Sequence, residues 1–78
     1  MQTLLHHTNH VFTLLRDNGG WIERNDIITH VGLRAQFSNN ETACAMTLDR
    51  AITQLRKAGH SIEQREESGK MFYRLQQR

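Results

Sequence analysis

Two spacings of apolar residues alternate along the chain, and glycines mark most of the changes between them. Leu4, Val11 and Leu15, with Leu5 and Phe12 beside them, recur at roughly helical intervals. Asn18-Gly19-Gly20 stops that pattern, so a first helix is predicted from somewhere in 3–8 to about 18, capped by Thr3 or Thr8. Trp21-Ile22 is long enough only for a β-bridge or a small edge strand. Asn25 caps a predicted second helix, with Asp26 suiting its dipole and Ile27, Ile28 and Val31 as its apolar side. Gly32 stops it, and Leu33 is placed for the apolar contact that follows such a glycine.

Residues 34–42, "RAQFSNNET", lack periodicity and read as an extended turn, with Phe37 tucked toward the core. A third helix begins between Asn40 and Met46 and ends at Ala58, before Gly59. Cys44, Leu48, Ala51, Ile52 and Leu55 fall on one side of it; Met46, Asp49, Arg50, Thr53 and Lys57 fall on the other. The spacing then changes to alternation. Ile62 through Arg65 and Lys70 through Leu75 predict a β-hairpin turning through Glu66-Glu67-Ser68-Gly69. Met71, Tyr73 and Leu75 share one face of its second strand, Phe72 and Arg74 the other.

A helix feeding straight into a hairpin, with a short strand earlier to widen the sheet, predicts an α+β fold of winged helix-turn-helix type. The run "LDRAITQLRKAGHSI", followed by "FYRL", resembles the winged-helix domain at the head of bacterial biotin-operon repressors. It is similar also to small phage and prophage helix-turn-helix domains. The likeness spans about residues 8–76. It rests on the spacing of Leu48, Ile52 and Leu55, on the "LRKAG" helix end, and on Tyr73 and Leu75. It implies double-stranded DNA as the partner and transcription regulation as the role. Two departures stand out. The family joins its second and third helices by a tight turn, where this chain inserts residues 34–42, and Glu66 and Glu67 are placed at the wing tip.

Composition narrows the alternatives. With 78 residues, 37% hydrophobic and 23% charged, the chain fits one ordinary globular domain, with residues 1–7 as a frayed start. A net charge of +2 permits nucleic-acid binding without demanding it. The single Cys44 excludes an internal disulfide, and "MQTLLHHTNH" lacks the basic start and apolar run of a signal peptide. A cytoplasmic location and no membrane span are expected.

On the third helix, Arg50 suits guanine or a phosphate, Thr53 a phosphate or a thymine methyl, and Asp49 a cytosine amino group, with Met46 and Lys57 on the same side. Arg65, Lys70 and Arg74 are candidate phosphate contacts on the hairpin. The same residues equally compose a solvated face, with the hairpin's acids balancing its bases. His6, His7 and His10 read as surface histidines, because two imidazoles four apart do not make a metal site. No carboxylate pair, nucleophile arrangement or glycine-rich phosphate loop suggests an enzyme, and no cofactor is implied. A protein-interaction module on the same scaffold and a phage-type DNA-architectural or excision factor are the rival readings. Dimerisation and other protein partners stay open.

Overall fold

The structure, a computed structural model, describes residues 4–76, without the side chains of Leu4 and Leu5. It is an α+β fold. The order is α1 (Leu4–Asn18), β1 (Ile22–Glu23), α2 (Arg24–Val31), α3 (Leu33–Gln36), α4 (Glu41–Lys57), β2 (Ile62–Glu67) and β3 (Lys70–Leu75). The strands form one antiparallel sheet in the order β1-β3-β2.

In α1, Val11 and Leu15 are fully buried and Phe12 packs against the core's edge. Thr8 is not a cap: it lies within the helix and is buried against α4, where its hydroxyl donates to Gln54 Oε1 at 2.9 Å. Thr3 lies outside the described residues. His7 departs from the expected surface position, with only 4% of its area exposed.

The cap of α2 also differs from expectation. Glu23 holds it, its carboxylate accepting from the Asn25 amide at 2.7 Å. Asn25 instead lies within the helix and accepts from Arg34 at 2.8 Å. A carboxylate at this end suits the helix dipole as well as an asparagine would.

The segment 34–42 is more ordered than its composition suggests. Leu33 is fully buried and Phe37, one turn later, packs against the core, so the chain winds into the short α3 between them. Ser38 and Asn39 then take left-handed φ values of 52° and 62°. Asn40 follows as the cap of α4, its Oδ1 accepting from the Ala43 amide at 3.1 Å. Asparagine is among the residues that tolerate that conformation best and cap helices best.

Helix α4 buries the predicted stripe of Cys44, Leu48, Ala51, Ile52 and Leu55. Its end is a Schellman arrangement: the Gly59 amide donates to Arg56 O at 3.1 Å and the His60 amide to Leu55 O at 3.0 Å. This geometry needs Gly59, whose φ is 101°. Arg56, in the last turn of α4, also ties helix to sheet, donating to Ile62 O at 2.9 Å.

In the hairpin, Ile62 pairs with Leu75 and the ladder runs without a break to Glu67 and Lys70. Only Ser68 and Gly69 turn, with φ of 52° and 77°, both positive as a type I′ turn requires. Glu66 and Glu67 therefore belong to the strand and not to the tip. Tyr73 and Leu75 face inward and are buried; Phe72 and Arg74 face outward.

Candidate nucleic-acid interface

The outer side of α4 follows from its inner side. With Leu48, Ile52 and Leu55 fixed inward, Met46, Arg50, Thr53 and Lys57 recur along the opposite surface, and all four are exposed. At 1.5 Å per residue the helix is about 25 Å long, enough to lie in a DNA groove. Thr53 donates its hydroxyl to the Asp49 carbonyl at 2.9 Å, leaving an acceptor and a methyl for a partner.

Asp49 lies toward the hairpin side of this stripe. It lines a narrow cleft with Arg24, Thr53, Arg56, Gln64 and Tyr73. Arg24 is held charged more firmly than an ordinary arginine, first by hydrogen bonding with the Tyr73 hydroxyl, then by the fields of Tyr73, Asp49 and Glu23, while burial opposes them. The Asp49 charge is thus partly answered from within the molecule. Its Arg24 neighbour was not singled out by sequence, because a lone arginine after a two-residue strand carries no periodic signal.

Of the predicted hairpin contacts, only Lys70 forms no ion pair with a described residue. It stands beside the turn and lines, with Met46, a cleft of about 470 Å³ between the start of α4 and the hairpin. Arg65 and Arg74 are on the sheet's outward face, away from that cleft. Arg65 pairs with Glu67 at 3.3 Å and Arg74 with Glu63 at 2.6 Å. Both guanidinium groups also lie 4.6 Å from the centre of the Trp21 ring. Trp21 thus anchors the outer sheet surface by cation–π contact. Arg65 is consequently not brought to the α4 stripe.

Of the ten lysines and arginines, Arg78 lies outside the described residues. Among the rest, Arg50, Lys57 and Lys70 form no ion pair or hydrogen bond with described residues through their side chains. The others are engaged within the fold. Arg34, for instance, bridges Asn25 and Glu41 and so ties α3 to α2 and α4.

Among the described residues, no group of three or more His, Cys, Asp or Glu is placed to hold a metal ion. No helix among them is long and apolar enough to cross a membrane. Comparison with protein-family models, with curated proteins and with solved structures finds no match to this chain.

Proposed function

We propose that the chain is a winged helix-turn-helix domain that binds double-stranded DNA as a small bacterial or phage transcription regulator, working in the cytoplasm. Helix α4 is the recognition helix, α2 and α3 support it, and β2–β3 is the wing. The observation that carries this reading is the distribution of unanswered positive charge. Arg50 and Lys57 lie on one exposed stripe of a helix, and Lys70 stands beside the neighbouring hairpin turn. Lysine and arginine that neutralise phosphates supply most of the affinity of such domains. The major groove, about 12 Å wide, admits a helix presenting short polar and basic side chains. The domain needs no cofactor for this and performs no catalysis.

One observation favours a second reading, a protein-interaction module. Glu41 and Glu66 line the cleft beside Met46, and carboxylates there suit a basic peptide better than a phosphate. The two readings part on a simple comparison. If DNA is the partner, Arg50→Ala and Lys57→Ala weaken binding to any duplex, with melting temperatures unchanged because both side chains are exposed. Duplex affinity insensitive to both changes would leave the protein-interaction reading in place.

A further inference from the structure

Met46 is 49% exposed, and no other large hydrophobic side chain among the described residues stands out from the fold in this way. It lies in the first half of α4, on the surface opposite Cys44 and Leu48. Its neighbours toward the helix start, Thr42 and the half-buried Ala45, carry no charge. In the cleft beside it Glu23 caps α2 and Glu41 pairs with Arg34, while Glu66 and Lys70 form no ion pair with described residues. Along the stripe itself, positive charge begins only at Arg50 and continues at Lys57. The outer surface of α4 is therefore graded, without a basic side chain over its first turns and basic further on.

A phosphate placed over Met46 would meet a thioether, which donates no hydrogen bond. A base edge fits better. In the major groove the four base pairs offer hydrogen-bonding groups and one apolar feature, the 5-methyl group of thymine. Resting on the DNA-binding reading above, we infer that Met46 is a specificity-determining residue that packs against a thymine 5-methyl group. Arg50 and Lys57 hold the backbone beyond it.

The test uses the tightest duplex recovered by selection from a random-sequence library, with each thymine replaced in turn by deoxyuridine. That change removes the methyl and leaves the hydrogen-bonding edge intact. The wild-type chain should lose about fourfold in affinity at one thymine per bound domain, the factor for withdrawing one methyl from apolar contact. Met46→Ala should bind the thymine and deoxyuridine duplexes equally, with an unchanged melting temperature. Two results would overturn the inference while leaving the DNA reading intact. One is salt-dependent duplex binding with no thymine sensitive to methyl loss, and the other is Met46→Ala retaining the discrimination. Failure of the wild type to bind any duplex would remove both the inference and the reading beneath it.

Discussion

The hydroxyl of Thr8 on α1 donates to the side-chain carbonyl of Gln54 on α4 at 2.9 Å, across 46 residues of sequence. This bond pins the first helix against the side of the helix that carries the candidate interface. Thr8 is buried while Gln54 reaches the surface. Thr8→Val keeps the shape and removes the donor, so the expected cost is about 1 kcal/mol, the usual net worth of one such bond. Urea unfolding of the two proteins measures it.

His7, next to Thr8, makes stability depend on pH. Its Nδ1 is buried without a hydrogen-bond partner. Burial, then the neighbouring His6 and His10, push its pKa below the ordinary 6.5. The unfolded chain therefore takes up a proton at a pH where the folded chain does not. That contribution is fully favourable above the unfolded value and declines as pH falls from there toward the folded value. Urea midpoints should drop between pH 7.5 and pH 5. The drop should be smaller in His7→Leu, and an equal drop in both would place the sensitivity elsewhere.

Leu48 and Ile52 lie at the centre of the buried stripe, 0% and 3% exposed. Truncating either to alanine should cost about 2–5 kcal/mol. In a domain of this size that approaches the whole stability, so thermal melts should broaden or vanish.

Arg65 and Lys70 on the hairpin should behave differently. Arg65 is held by Trp21 and Glu67 on the outward sheet face. Arg65→Ala should leave duplex affinity alone and lower the melting temperature slightly, with Trp21→Ala lowering it more. Lys70→Ala should do the reverse, reducing the salt slope of binding by about one without changing the melt.

The helical and alternating stretches were legible because burial imposes a period. The stripe from Cys44 to Leu55 and the inward set of Tyr73 and Leu75 follow directly from spacing. The caps were harder, since Glu23 and Asn25 would each start the helix at a different residue, and it is Arg34, nine positions later, that takes up the Asn25 side chain and leaves the cap to the glutamate. Helix α3 was hidden because four residues carry no period; its cause is the pairing of Leu33 with Phe37 against a core contributed by distant elements. His7 was misplaced for a related reason: a histidine's burial depends on what distant parts of the chain bring opposite it. On the candidate site, the α4 stripe was readable, whereas the withdrawal of Arg65 was not. That depends on Trp21, more than forty positions earlier, meeting the sheet's outer face.

The central claim is that unanswered charge on α4 serves DNA, and the salt dependence of duplex affinity tests it most directly. Fluorescence anisotropy of a labelled random duplex, titrated at a series of salt concentrations, gives log Kd against log salt for the wild type and for Arg50→Ala. A steep wild-type slope is expected, shallower by about one in the variant if Arg50 holds a phosphate. Absence of salt-dependent binding by the wild type would contradict the claim outright.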